Sequence, residues 1–281
     1  MALITREGKG SKLTIQEMDG NLTYLESLGL SGTQYVFVSA NGTDLENAVE
    51  LQAAYNLAKT MSPSITKRIT VIAAPGNYNF GEAIFTMDTQ YIDLVSLDGN
   101  ISIILNYYDP MFGGGYIYIT ANNVFVKGVS TELNPFYIGN GLNLLRIENC
   151  KGGANSFGDG NEVSGTFIDC TGGEASFGGY GGIVSGTFID CIAGNFSFGA
   201  FGTASGVFNN CVATSSSFGS FGIFSGTCTS CISDLYGTIA GKLYFCRQTT
   251  NGNALPVIAP NSAGKIVAFI TKDNNFIAQQ P

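Results

Sequence analysis

Five cysteines, Cys150, Cys170, Cys191, Cys211 and Cys231, stand 20, 21, 20 and 20 residues apart. No other feature so narrows what this chain can fold into, because self-similarity at a fixed period implies stacked structural units. Phe157, Phe177, Phe198 and Phe218 keep the same step, and so do Ser164-Gly165, Ser185-Gly186, Ser205-Gly206 and Ser225-Gly226. The unit reads Ser-Phe-Gly, five or six residues, Ser-Gly, one residue, Phe, two residues, Cys; in the last copy Cys228 replaces the second Phe. A helical solenoid needs a repeat of about 34 residues, and the comb of leucines that marks a leucine-rich repeat is missing. Twenty residues suit one coil of three short strands and three turns, each coil bonding to the next at about 4.8 Å.

The period therefore predicts an all-β right-handed parallel β-helix from roughly Lys67 to Cys246. Strand alternation in Gly165-Thr-Phe-Ile-Asp-Cys170 turns Phe167 inward and Thr166 and Ile168 outward. Ile147, Phe167, Phe188 and Phe208 should fill one inner column. Asn149, Asp169, Asp190, Asn210 and Ser230 should form a ladder of bends, since most of these residue types tolerate left-handed backbone. Five of the seven cysteines share one column and read as small buried core residues. Cys228 and Cys231 make a C-x-x-C, but their columns already explain both, and no second pair completes a zinc site. No metal or cofactor is expected.

Composition removes whole chemistries. The chain has no histidine, which rules out Ser-His-Asp triads and histidine-ligated zinc. With a net charge of -8 and only Lys151 basic between Lys151 and Cys231, a nucleic-acid surface is not expected, because such affinity comes mainly from cations neutralising phosphates. No apolar run reaches the 18 or so residues that span a bilayer, and the start lacks the apolar core of a secretory signal. The expected setting for synthesis and folding is a cytoplasm.

Ahead of the repeats, Thr14-Ile-Gln-Glu17 and Thr43-Asp-Leu-Glu46 are capping boxes that open helices, the first running to about Ser27. Leu45, Ala48, Val49, Ala53 and Tyr55 share a broad face of the second, interrupted by Gln52. Gln34–Ser39 and Arg68–Ala73 read as strands, and a strand-helix-strand unit suits the cap of an open solenoid end. The resulting division is 1–33 N-terminal segment, 34–80 cap, 81–246 β-helix and 247–281 C-terminal cap or tip, with a strand at Gly264–Ile270.

Gly8-Lys-Gly-Ser-Lys-Leu-Thr-Ile-Gln-Glu-Met-Asp-Gly-Asn-Leu22 resembles the Gly-Lys-Gly-Ser-x-Leu-Thr-x-x-Glu-x-Asp-x-Asn segment near the start of many bacteriophage tail-fibre proteins. Gly42-Thr-Asp, the helix after it and Val71-Ile-Ala-Ala-Pro-Gly-Asn-Tyr78 are similar to the first coil of pectin-lyase-like β-helices, including viral fibres and tailspikes. The resemblance implies a virion component assembled in the host cytoplasm as a homotrimer. Residues 1–33 would bind other tail or baseplate proteins, and the β-helix would contact a host-surface glycan or receptor. The chain is short for a complete fibre, and no long coiled-coil shaft or chaperone domain is recognisable.

Three functions follow from these readings. An enzyme would use Asp169 and Asp190, which adjacent coils place about 5 Å apart, close to the 5–5.5 Å carboxylate separation of retaining glycosidases; Asp159, Glu162 and Glu174 lie in the same block. The column continues as Asn210 and Ser230, as a turn ladder should. Pectate lyases add arginine or lysine as base and polygalacturonase-like sites add histidine, whereas this block offers only Lys151. An adhesin would use Tyr180, Phe201 and Phe221, a second aromatic column able to stack on sugars if it faces outward; the simpler reading places it in the core or at the trimer interface. Ile168 and Ile189 begin an outward apolar stripe and are candidates for that interface. The third function is a virion scaffold with no ligand of its own.

Overall fold

The computed structural model describes residues 33–81, 83–106, 117–131, 135–158, 162–179, 181–233, 237–248, 265–270 and 276–277. The N-terminal helix, the attachment segment, Asp159, Tyr180 and most of the C-terminal tip lie outside these residues. The chain forms the expected parallel β-helix. Among the described residues fifteen strands join one sheet, with three smaller stacks of three, four and three strands on the other sides of the coils. Among the described residues every named strand pair is parallel save the last, Lys265–Ile270 with Phe276–Ile277.

The register places like over like. Ile147 pairs with Phe167, Phe167 with Phe188, Phe188 with Phe208, Phe208 with Cys228 and Cys228 with Leu243. The final coil is thus shortened to 15 residues, and Lys242–Gln248 resumes the sheet. Phe167, Phe188 and Phe208 stack at 5.0 and 5.1 Å; Phe157, Phe177, Phe198 and Phe218 stack beside them at 4.8 to 4.9 Å. The two columns meet edge-on, at 75° to 89°. Both arrangements suit the ring quadrupole, each pair adding about 0.5–1.5 kcal/mol beyond the area it buries.

The predicted bend ladder is present: Asn149, Asp169, Asp190, Asn210 and Ser230 all have φ between 48° and 55°. Each cysteine after a bend turns inward and is fully buried, and it is this bend that gives the thiol its partners. Cys170 Sγ lies 3.3 Å from the carbonyl of Ile168 and 3.4 Å from that of Ile147 in the preceding coil; Cys191, Cys211 and Cys231 repeat the pair of contacts. All seven cysteines are free and buried. The Ser-Gly pairs also have a steric reason. A Cβ on Gly206 would stand 2.4 Å from the carbonyl oxygen of Gly186, and one on Gly226 would stand 2.1 Å from that of Gly206.

At the N-terminal end β1 (Thr33–Val38) and β2 (Arg68–Ala73) pair in parallel and open the large sheet. Between them α1 (Asp44–Thr60) starts at the expected capping box of Thr43 and Glu46. The helix packs against β1, β2 and the strand Gly76–Asn79. Its buried face differs from the expected one. Ala48 and Tyr55 are buried, but Leu45, Val49 and Ala53 are exposed, and Leu51, Ala54 and Ala58 face the core instead. The buried face is turned toward the coil around Tyr55, which donates to Asp88 (3.4 Å) and accepts from the Thr89 amide (3.1 Å).

Candidate functional site

The long turn before Thr203 and its copy before Ile223 carry the most distinctive surface. Phe201 is 43% exposed and Phe221 58%, so for these two rings the reading that buries the column in the core of the chain is overturned. The inward place is already taken by Phe198 and Phe218, which are fully buried; the column three residues on has nowhere to point but outward. Phe201 and Phe221 stack at 4.8 Å with an interplanar angle of 12°. That centroid distance exceeds the 3.5–4.0 Å contact distance of carbon atoms, so the rings are offset like steps and each leaves part of a face uncovered.

A third ring completes the patch. Phe196 is half-buried and lies 5.6 Å from Phe201 and 6.4 Å from Phe221. Sequence reasoning passed over Phe196 because its equivalents in the other coils are Asn155, Ala175 and Ser216. That departure from the repeat was the available signal. All four hold left-handed backbone, at φ 49° to 58°, which is uncommon for an aromatic residue. Ile183 and Ile223, each 50% exposed, border the patch on the adjoining strands. The stretch from Cys191 to Ser233 contains no Asp, Glu, Lys or Arg. The described surface can therefore hold an apolar or polyhydroxylated partner by contact.

The remaining candidates are distributed differently. Asp169 and Asp190 stand side by side on the exposed corner, in the left-handed conformation of the bend ladder. Asn210 Nδ2 donates to Asp190 Oδ1 at 2.6 Å, so the acid serves the ladder. Glu162 and Glu174 are exposed. Ile168 and Ile189 face outward and are half-buried, with Glu148 before them and Asn209 after them in the register. Among the described residues no group of three or more His, Cys, Asp or Glu is placed to hold a metal ion, and no helix is long and apolar enough to cross a membrane.

A shallow depression on the large sheet is lined by Arg68, Asp93, Asn123, Phe125, Leu144 and Arg146, among others. The sequence did not single it out. Its charges are engaged with one another. Buried Asp93 accepts from Arg68 and from the amide of Phe125 (2.8 Å), Arg68 also donates to the carbonyl of Asn123 (2.9 Å), and Arg146 is paired with Glu148. This cluster fastens strands together where the side chain of Asp93 takes the place of a strand carbonyl as the partner of Phe125. No family model, curated protein or solved structure matches the chain.

Proposed function

We propose that this chain is a tail-fibre or tailspike-type virion component, a homotrimer that attaches to host-surface glycan through Phe196, Phe201 and Phe221, with Tyr180 at the matching position of the preceding coil. The observation that carries this reading is the exposed, offset aromatic stair in a stretch without charge. A sugar ring presents weakly positive C–H groups that suit the negative face of an aromatic ring. The resemblance of Gly8–Leu22 to tail-fibre segments supports the same assignment, as does a rod of regular coils. The corner acids supply no comparable support for glycan cleavage.

The test is a Phe201→Ala/Phe221→Ala double variant, screened for binding to bacterial surface polysaccharides. It should melt within a few degrees of the parent, because both rings are exposed, and lose glycan binding at least tenfold. Glycan binding retained by the double variant would overturn the assignment of the site to these rings, and absence of glycan binding by the parent chain would favour a scaffold. Light scattering should return about three times the chain mass of 29.5 kDa, the closed symmetry expected around a fibre axis. A monomer would sink the fibre assignment.

A further inference from the structure

Asparagine or aspartate before glycine is where a polypeptide most readily attacks its own side chain, because glycine leaves the following amide nitrogen uncrowded. Three such pairs fall among the described residues: Asn41-Gly42, Asp98-Gly99 and Asn140-Gly141. In two of them the glycine amide is already engaged. Gly42 N donates to Asn47 Oδ1 at 3.0 Å, and Gly99 N donates to the carbonyl of Ser96 at 3.1 Å. Asp98 is held as well, by the hydroxyls of Ser96 and Ser102 and the amide of Asn100. Gly141 differs. Its amide has no hydrogen-bond partner among the described residues. It is exposed at φ 73°, and apart from its chain neighbours no atom lies within 4 Å of where a Cβ would stand. Asn140 is also exposed, and its Oδ1 accepts from the Glu162 amide of the next coil at 3.0 Å. The pair lies in the turn that carries the chain from Phe136–Ile138 of a small stack to Leu145–Glu148 of the large sheet.

We propose that Asn140 is a self-modifying site, at which the chain turns its own carboxamide into aspartate and isoaspartate without an enzyme. The nitrogen of Gly141 attacks Cγ of Asn140. The new N–Cγ bond closes a cyclic imide, the Cγ–Nδ2 bond breaks, and ammonia leaves with the proton that Gly141 gave up. One water then opens the imide. Opening at Cγ gives aspartate, opening at the main-chain carbonyl gives isoaspartate, and no electrons change hands. Negative charge develops on Oδ1 as the nitrogen adds, and the Glu162 amide already donates to that atom, a preorganised contact of the kind that lowers such a barrier. At Asn41 the attacking amide must first give up its bond to Asn47, which opposes the same reaction. The product adds a carboxylate to a chain whose net charge is already -8, next to exposed Glu162. Isoaspartate also lengthens the main chain of the turn by a methylene. The proposal is independent of the glycan and fibre assignments.

The test incubates the full folded chain in mildly alkaline buffer and follows both asparagines by peptide mass mapping, with an isoaspartyl methyltransferase to label the isoaspartate. Conversion at Asn140 should run at least about tenfold faster than at Asn41, as one surrendered hydrogen bond of ordinary strength would give. Both aspartate and isoaspartate should appear at Asn140. In a parallel sample unfolded in urea the two asparagines should convert at similar rates, because each then stands before a free glycine. Conversion at Asn140 no faster than at Asn41 in the folded chain, or none at all, would overturn the proposal. A difference that persists in urea would place its cause in the local sequence and would overturn it as well.

Discussion

At the scale of single residues, the same side chain has opposite worth on the two sides of the coil wall. Phe188 is fully buried, stacked on Phe167 and Phe208 and edge-on to Phe177 and Phe198. Phe188→Ala leaves a ring-sized cavity between neighbours that cannot close, and should cost about 3–5 kcal/mol. Phe201→Ala removes an exposed ring and should stay within about 0.5 kcal/mol. Urea unfolding of the two variants reads the difference, and equal losses would contradict the inward and outward assignment. The sequence distinguished these two rings only in part. Phe188 was readable because strand alternation fixes its direction from Ser-Gly on one side and Asp-Cys on the other. Phe201 was not, since it follows a turn with left-handed residues at Phe196, Phe198 and Gly199, and period-two reasoning fails there.

Among the elements, α1 shows where reading by pattern succeeds and where it stops. Its start was legible from Thr43 and Glu46 because capping depends on four consecutive residues, and the structure closes both bonds, Thr43 N to Glu46 Oε2 at 2.8 Å and Glu46 N to Thr43 Oγ1 at 3.3 Å. Thr43→Ala should lower stability by about 1 kcal/mol, read as a lower urea midpoint at unchanged slope. No shift would mean that packing alone fixes the helix start. The buried face was not legible, because it is chosen by what lies beneath. Leu51, Ala54 and Ala58 fit against the coil, while Leu45 and Val49 are left in solvent. The Ser-Gly corners, by contrast, were visible as a motif but not as a mechanism. Only the stacked carbonyl above or below each glycine explains why a Cβ is refused there.

For the molecule as a whole, three buried thiols and two buried phenols tie stability to alkaline pH. Burial pushes the thiols of Cys150, Cys191 and Cys228 up, and pushes Tyr55 and Tyr78 up to about 12. In the unfolded chain the same groups ionise near about 8.5 and 10. A raised folded value contributes stability that is complete below the unfolded value and is lost as pH rises through the window between the two. Melting temperature should therefore be flat up to about pH 8, fall from about pH 8.5 and fall more steeply above about pH 10; a flat profile to pH 11 would contradict the buried cysteine column. The repeating columns carry one more consequence, seen if the solenoid is regarded as a screw. Between Cys150 and Cys231 every thread resembles the next, so a nascent chain displaced by one whole thread still lays phenylalanine on phenylalanine and cysteine on cysteine. Irregular places tell the correct engagement from the displaced one, among them the helix across the first thread, the 21-residue step from Cys170 to Cys191, Cys228 where phenylalanine is expected, and the short last turn to Leu243. Those irregularities are what give an otherwise translation-symmetric molecule a definite beginning and end.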